Sequence, residues 1–198
     1  MVDLSSDYYR ALAEATEHHA SSKTYSGKFL RPHAPFIKEI IDRLECRSVL
    51  DYGCGKGAQY AWVSHGDDAS IPEGMTIEQY WGVPVTKFDP AYPPFAKDPE
   101  GNFDLVICTH TLGAIPRADL PSIIERLYLL ANKAVYIAEK IGPVKKKVYS
   151  QEILRPLGYK RHDWEALLTS VPIPSHLEVT LATRERTDNG VIVTRGVL

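Results

Sequence analysis

A glycine-rich loop near residue 50 offers the clearest chemistry in the sequence. The loop Asp51-Tyr52-Gly53-Cys54-Gly55-Lys56-Gly57 comes where an aliphatic run with the character of a strand gives way to a helical pattern. Glycines let the backbone turn tightly and approach a ligand, and a helix N-terminus presents unpaired N–H groups. The loop therefore indicates a nucleotide-like ligand, although Gly53, Gly55 and Ala58 also fit the G-x-G-x-x-A dinucleotide pattern.

Three features of the flanking sequence distinguish between ligands. Asp51 would oppose a pyrophosphate but suits a cationic amino group. The acid that a nicotinamide-binding protein would use, about 20 residues after the first glycine, is Glu73, which lies in an Ile-Pro-Glu-Gly loop and not at a strand end. A P-loop needs Ser or Thr after its lysine, whereas Gly57 follows Lys56. A ligand with an amino group is therefore favoured.

The elements that must position this loop alternate between strand and helix. Apolar runs predict strands, and aliphatic residues at helical spacing predict helices. The predicted strands are 48–52, 83–88, 103–109, 134–138, 176–184 and 191–197, and the predicted helices are 7–20, 34–45, 57–63, 120–130 and 163–170. Ser5 or Ser6 and Asp119 are predicted to cap helices, and Thr187-Asp188-Asn189-Gly190 predicts a hairpin. The order predicts an α/β doubly wound, mostly parallel sheet with an antiparallel C-terminal hairpin and N-terminal helices.

Three segments carry a resemblance to a known family. The string VLDYGCGKG resembles motif I of class I S-adenosylmethionine (SAM) dependent methyltransferases, Phe88-Asp89-Pro90 is similar to the acid after their second strand, and FDLVICTHTLGAIP to their fourth-strand motif. The terminal hairpin is also similar to that of their seven-stranded sheet. The resemblance implies one SAM-binding domain over 1–198, with an N-terminal helical lid over 1–45 and a Rossmann-like core over 46–198.

The same resemblance implies a set of cofactor contacts. Asp51 and the loop backbone would hold the methionine end of SAM, and Asp89 would accept hydrogen bonds from both ribose hydroxyls. The cofactor-binding residues expected are Asp51, Tyr52, Gly53, Cys54, Gly55, Gly57, Asp89, Pro90, Thr109 and His110. Only residues 90–102 separate Asp89 from Phe103, which leaves little room for the usual second helix and third strand and leaves Asp98 as the one candidate for an adenine-binding acid.

Candidate catalytic residues follow the later strands, because ligands of open α/β sheets lie beyond the carboxyl ends of the strands. Methyl transfer needs alignment of the acceptor, methyl and sulfur and, where required, removal of a proton. His110 follows the strand 103–109 and is the best-placed base, Glu139 ends the next strand, and His162 opens the late helix. Each has an alternative interpretation. His110 could pack against the adenosyl group, Glu139 could lie at a solvated strand end, and His162 could interact with Asp163.

Other polar groups are assigned to the lid or to solvated loops and not to the chemistry. Aromatic and polar side chains before the sheet are expected to belong to the lid: Tyr8, Tyr9, His18, His19, Lys23 and Tyr25. His65, Asp67 and Asp68 are interpreted as a solvated loop and not as a cation site, so no metal is predicted. The run 145–147 of three lysines is interpreted as a solvated loop, with steering of an anionic acceptor as the alternative.

Composition limits the class of protein. With 44% apolar and 24% charged residues the chain should fold, and its formal charge of −2 lacks the basic excess of a protein that binds a phosphate backbone. Cys46, Cys54 and Cys108 form no CxxC pair, so reduced thiols are expected. The sequence shows neither a signal-peptide pattern nor a run of about 20 apolar residues. We therefore expect a cytoplasmic protein without a membrane partner.

Together these features predict a SAM-dependent methyltransferase that acts on an oxygen or nitrogen of a small-molecule acceptor, a metabolite, sugar or nucleotide. A non-catalytic SAM-binding module or partner subunit is the alternative, since Leu112-Gly113-Ala114-Ile115 stands where many family members read Leu-Glu-His-Ile. A nucleic-acid base methyltransferase is a further alternative, because Asp89-Pro90-Ala91-Tyr92 resembles the DPPY signature. That signature follows the fourth strand of its family, however, so we interpret the segment as the ribose acid and a proline turn.

Overall fold

The computed structural model describes residues 4–21, 29–66, 71–141, 159–187 and 190–198. Its helices are α1 (Ser6–Ser21), α2 (Ala34–Arg43), α3 (Ala58–Ala61), α4 (Ile77–Trp81), α5 (Leu120–Leu130) and α6 (Arg161–Ser170). Its strands are β1 (Val49–Tyr52), β2 (Val85–Phe88), β3 (Phe103–Thr109), β4 (Ala131–Lys140), β5 (Glu178–Thr187) and β6 (Gly190–Val197). Several residues interpreted above lie outside the described ranges: Lys23, Tyr25, Asp67, Asp68, Lys145, Lys146, Lys147, Asp188 and Asn189.

The described strands form one sheet in the order β2-β1-β3-β4-β5-β6. Neighbouring strands from β2 to β5 are parallel, and β6 is antiparallel to β5. The predicted mostly parallel sheet with an antiparallel terminal hairpin is confirmed. The described residues form six strands, because the connection from β2 to β3 contains only a short 3-10 turn, Pro93–Phe95.

Each face of the sheet has its own hydrophobic core, as a doubly wound fold requires. Successive strand residues point to opposite faces. Val106 and Cys108 of β3 therefore join the core shared with α5 and α6, whereas Leu105 and Ile107 join the core shared with α2 and α4. The near-continuous apolar sequence of β3 follows from burial on both faces.

Helix α4 was not predicted, because its segment is rich in loop-forming residues. A reciprocal capping box begins it: the Thr76 hydroxyl accepts from the Gln79 N–H at 3.2 Å, and the Gln79 side chain accepts from the Thr76 N–H at 2.8 Å. Ile77 and Trp81 bury its apolar face. Strand β4 is also longer than predicted, since it starts at Ala131, directly after α5.

Helix α1 is tied to the core by a contact distant in sequence. The predicted cap at Ser5 is confirmed, because its hydroxyl accepts from the Tyr8 N–H at 3.2 Å. Asp119 stands at the predicted N-cap position of α5, but its carboxylate makes no capping hydrogen bond and instead accepts from the Ser5 N–H at 2.7 Å and the Ser5 hydroxyl at 2.6 Å. Two donors from one residue occupy both oxygens. Leu4 and Tyr8 pack beside this anchor against the α5 side of the core.

Three further findings concern the cysteines, metal ligands and helix length. Cys46, Cys54 and Cys108 are free and buried. Across the described ranges, no group of three or more His, Cys, Asp or Glu side chains is arranged to hold a metal ion. Within the same ranges, every helix is too short or too polar to pass through a bilayer.

Candidate active site

The glycine loop connects β1 to α3 in a conformation that few side chains tolerate. Gly53, Gly55 and Gly57 have φ values of +85°, +60° and +64°. A Cβ on Gly53 would lie 2.3 Å from the Thr111 side chain, and a Cβ on Gly57 would lie 2.8 Å from the Phe95 ring. The sequence needs glycine here both for the backbone angles and for the close approach of neighbouring elements.

Asp89 holds this loop against the end of β2. One oxygen of its buried carboxylate accepts from the Gly55 N–H at 2.8 Å, and the other accepts from the Ala91 N–H at 2.9 Å. The Gly53 N–H also donates to the Phe88 carbonyl at 2.7 Å. Each carboxylate oxygen has two lone pairs, so Asp89 can support the loop and still accept from ribose hydroxyls. Half-buried Pro90 continues the turn.

Asp51 is a buried carboxylate with an incomplete set of partners. Its Oδ2 accepts from the Tyr60 hydroxyl at 2.8 Å and from Gln59 Nε2 at 3.2 Å. Its Oδ1 has no hydrogen-bond partner among the described residues. Burial raises the pKa of Asp51 to about 7, against the lowering effect of the Tyr60 and Gln59 hydrogen bonds. A cationic group beside Oδ1 would stabilise the ionised form.

Tyr52 and Cys54 contribute to the loop from within the core. The Tyr52 ring packs against Phe88 with centroids 4.9 Å apart, and the Cys54 thiol donates to the Gly55 carbonyl at 3.4 Å. Both side chains are buried. These two side chains therefore shape the loop from inside, and the expected ligand contacts at these positions come from the backbone.

The end of β3 meets the glycine loop through Thr111. Its hydroxyl donates to the Gly53 carbonyl at 3.2 Å, with the Thr109 carbonyl as a second acceptor at 3.3 Å. Thr109 itself is half-buried as the last residue of β3. Thr109 and His110 are predicted from the sequence as cofactor contacts, whereas Thr111, which stands in the same strand-end motif, is not.

His110 lies next to Thr111 with an unusual backbone. Its φ of +56° is rare for a residue with a side chain, and its N–H donates to the Ala138 carbonyl at 2.7 Å. Both ring nitrogens are buried and lack hydrogen-bond partners among the described residues. Burial lowers the pKa of His110 to about 3, helped by nearby His33, Lys140 and Arg184. The imidazole is therefore neutral, with one donor and one acceptor nitrogen to offer.

Glu139 is buried and holds the backbone that follows His110. Its Oε1 accepts from the Leu112 N–H at 2.8 Å, at the 3-10 turn Leu112–Ala114. Burial raises the pKa of Glu139 to about 8, against the lowering effect of hydrogen bonds from the turn backbone. The structure thus places Glu139 under the strand-end loop and not at a solvated strand end.

His162 lies apart from the glycine loop. It is exposed near the start of α6, and its Nε2 lies 3.4 Å from Asp163 Oδ1. Helix α6 is attached to β5 by Arg161, whose guanidinium donates to the Thr183 hydroxyl at 3.3 Å. In the sheet order β5 is three strands from β1. The structure therefore brings His110 and Glu139 to the loop but does not bring His162 there.

Helix α1 lies beside the Asp89 side of the site. Buried His19 places its ring 5.9 Å from that of Tyr92, and the Asp89 charge acts on His19 and Tyr8. Tyr9, in contrast, is exposed. The acid considered for adenine, Asp98, is exposed and pairs with Arg126 at 2.6 Å.

A comparison with protein families identifies the chain. A family model described as a methyltransferase domain matches residues 10–139. The chain belongs to this methyltransferase family. Its methyl donor is SAM, as the motif resemblance implied. A comparison with curated proteins finds no match.

The matched region of this methyltransferase contains the loop, Asp89, His110 and Glu139, whereas α6 and the hairpin follow it. The described residues also fit SAM chemically. The unpaired Oδ1 of Asp51 suits the amino group of the methionine moiety. Asp89 keeps acceptor capacity for the ribose.

We predict that Asp51 makes cofactor affinity depend on pH. The folded pKa near 7 means that an amino group must displace a proton to pair with the carboxylate below that pH. The affinity for S-adenosylhomocysteine (SAH), measured by calorimetry, should rise between pH 5.5 and pH 8, by up to about tenfold per unit below the pKa. Asp51→Asn should bind more weakly with a flat profile, whereas Asp104→Asn at the amino end of β3 should keep the slope. A flat wild-type profile would contradict this role.

The same carboxyl should affect the stability of the ligand-free protein. Its folded pKa lies above the unfolded value of 3.8, so its unfavourable contribution is absent below about pH 4 and complete above about pH 7. In urea unfolding at pH 8, Asp51→Asn should therefore be more stable than wild type by up to about 4 kcal/mol, at about 1.4 kcal/mol per pKa unit. Equal or lower stability of the variant would show that burial is not the cause.

We predict that Asp89→Ala weakens both cofactor binding and the loop. Loss of charge-assisted hydrogen bonds worth about 1.5 to 3 kcal/mol should raise the dissociation constant of SAH about 10- to 150-fold in calorimetry. Circular dichroism should show a folded variant, since Asp89 follows β2 and does not fill the core. Glu100→Ala, which removes an exposed carboxylate paired with Lys97, is the matched control and should bind normally. Unchanged affinity in Asp89→Ala would exclude the ribose role.

Proposed function

We propose that this SAM-dependent methyltransferase transfers the methyl group to an oxygen or nitrogen of a small-molecule acceptor, with His110 orienting the acceptor and taking its proton. The position of His110 supports the proposal most directly. The residue adjoins Thr111, which contacts the glycine loop, and both of its buried ring nitrogens lack partners among the described residues.

The residues around the loop supply what methyl transfer requires. SAM supplies an electrophilic methyl group on a positively charged sulfur. Asp51 holds the amino group of the methionine moiety and Asp89 holds the ribose. Together they fix the direction in which the methyl group points. A neutral His110 can donate one hydrogen bond to the acceptor. Its pKa of about 3 makes it a weak base, so it receives the acceptor's proton only as the new bond to carbon forms and makes that proton strongly acidic.

Glu139 takes a positioning role in this proposal. Its buried carboxylate accepts from the turn that follows His110 and Thr111, so it maintains the backbone from which both side chains project. Its raised pKa reflects that burial. His162, exposed and paired with Asp163, has no part in the chemistry.

The arrangement around Asp89 favours a compact acceptor over a nucleic-acid base. Both oxygens of Asp89 accept backbone N–H groups, and the Tyr92 N–H donates back to the Asp89 carbonyl at 3.1 Å. These contacts support the interpretation of this segment as ribose acid and turn. Helix α1, held by Ser5 on Asp119, lies beside the same region, which favours a small molecule over a polymer.

The acceptor class can be tested by SAH release. Purified protein is incubated with SAM and either the small-molecule fraction or the nucleic-acid and protein fractions of a cell extract, and SAH is quantified by mass spectrometry. We expect SAH formation above background with the small-molecule fraction. Formation only with a polymer fraction would contradict the small acceptor, and tight SAM binding without turnover on any fraction would favour a non-catalytic module.

We predict that His110→Ala lowers turnover about a hundredfold on the accepting fraction, within the range of general acid–base groups. SAH affinity should stay within about twofold, because the cofactor is held from β1 and β2. His162→Ala is the matched control and should retain full turnover. If SAH affinity falls in parallel with turnover, His110 is a cofactor contact, and if turnover is unchanged, it has no role in the reaction.

A further inference from the structure

Five basic side chains gather toward the carboxyl end of the sheet, at or near the ends of β3, β4 and β5. We name this group the basic cluster: His33, His110, Lys140, Arg184 and Arg195. They come from four separate parts of the chain, the start of α2, the end of β3, the end of β4 and the terminal hairpin. No local sequence motif joins them, and of the cofactor contacts expected from the sequence only His110 belongs to the cluster.

Strand register brings the cations together on one face. Lys140 is the register partner of Arg184 on the parallel neighbour, and Arg195 is the partner of Ala182 on the antiparallel one. Since residues two apart share a face, Arg195 lies diagonally across from Arg184. Like charges placed side by side on a sheet destabilise it, so this arrangement carries a cost in the absence of an anion.

Aromatic rings hold the cations in place. Lys140 Nζ lies 4.1 Å and the Arg184 guanidinium carbon 5.6 Å from the centroid of the half-exposed Phe29 ring, while the Arg195 guanidinium carbon lies 3.3 Å from that of Phe36. Such contacts stabilise a cation without neutralising it. The charge of the cluster therefore persists.

Among the described residues, none of the three cations of the basic cluster forms an ion pair. Two acids adjoin these cations along the chain. Glu139 is buried and accepts from the Leu112 N–H, and exposed Glu185 follows Arg184 in β5, so its side chain points to the opposite face of the sheet. Burial lowers the pKa of His33 to about 4, and the positive charges of Arg184 and Arg195 lower it further. Burial also lowers the pKa of Lys140, and the charge of Arg184 adds to that effect. These shifts are the signature of an excess of positive charge.

Three buried ring nitrogens of the two histidines lack hydrogen-bond partners among the described residues. His33 is fully buried, and its Nδ1 lies 2.8 Å from the Tyr136 hydroxyl. Its Nε2 and both nitrogens of His110 have no partner among the described residues. The two rings lie 6.0 Å apart. Buried polar atoms without partners are rare and point to a ligand or water.

The basic cluster also adjoins the cofactor loop. His110 is followed by Thr111, which donates to the Gly53 carbonyl. From there the cluster extends away from β1 across β4 and β5. An acceptor seated on it would approach the methyl group from the side opposite to Asp51 and Asp89.

We propose that the methyl acceptor is an anion, bearing a carboxylate or phosphate group that the basic cluster binds. The inference rests on the proposed function and adds the chemical class of the acceptor. Arg184 and Arg195 offer planar donor pairs that match an oxyanion, Lys140 adds a point charge, and the two neutral imidazoles hydrogen-bond to the acceptor. The anion removes the repulsion among the three cations.

Two probes test the site without the acceptor itself: inorganic phosphate and malonate. Each is titrated into the SAH-bound full chain, and the dissociation constant is read from histidine ring resonances by NMR. We expect at least one probe to bind, and the double variant Lys140→Gln/Arg184→Gln to bind it at least tenfold more weakly. Arg43→Gln, which removes an arginine paired with Glu178 at the opposite end of β5, should bind it as wild type does.

The outcomes separate this inference from the proposed function. Binding of phosphate alone identifies a phosphate acceptor, and binding of malonate alone a carboxylate acceptor. If neither probe binds, or if Lys140→Gln/Arg184→Gln and Arg43→Gln behave alike, the anionic site is overturned even when SAH binds normally. If SAH itself fails to bind, the proposed function falls.

Fractionation gives a second arm. The accepting small molecules should be retained by an anion exchanger, and methyl-accepting activity confined to the unretained fraction would overturn the inference. In the retained fraction, Lys140→Gln/Arg184→Gln should raise the KM for the acceptor at least tenfold while SAH affinity stays unchanged.

Discussion

The cofactor loop depends on one carboxylate, that of Asp89. Its hydrogen bonds to the Gly55 and Ala91 N–H groups join the glycine loop to the end of β2. Glycine loses more conformational freedom than other residues when it is fixed, so a loop with three left-handed glycines needs such an acceptor to stay in one conformation. With the loop fixed beforehand, less ordering is required when a ligand binds. The partly unpaired Asp51 then selects a ligand with a cationic amino group.

Charge is distributed unevenly along the carboxyl end of the sheet. The acids Asp51 and Asp89 stand at β1 and β2, whereas Lys140 and Arg184 stand at β4 and β5. His110 lies between them at the end of β3. Such a division would place a cationic cofactor on one side and an anionic acceptor on the other, and it raises the local concentration of each. The near-zero net charge of the chain conceals this arrangement.

Local patterns predicted the fold, and they predicted that the glycine loop follows β1 and that Asp89 follows β2. Continuous apolar runs and turn residues gave the parallel strands and the hairpin, and the parallel arrangement brings Asp51 and Asp89 to one edge. Helix α4 was missed, because its short capping box sits among loop residues. Thr111 was missed because its contact with Gly53 depends on the left-handed backbone before it. The neighbourhood of Arg184 was beyond prediction, since strand register decides which residue it faces.

Selective cofactor binding tests the account most directly. A ligand that binds only the folded state raises its melting temperature by mass action. Thermal unfolding is therefore measured with SAM, SAH, NAD and ATP at equal concentrations, each above the expected dissociation constant of SAH. We predict that SAM and SAH raise the Tm of the wild-type chain and that NAD and ATP leave it unchanged. A rise with NAD and none with SAH would contradict the assignment of the glycine loop.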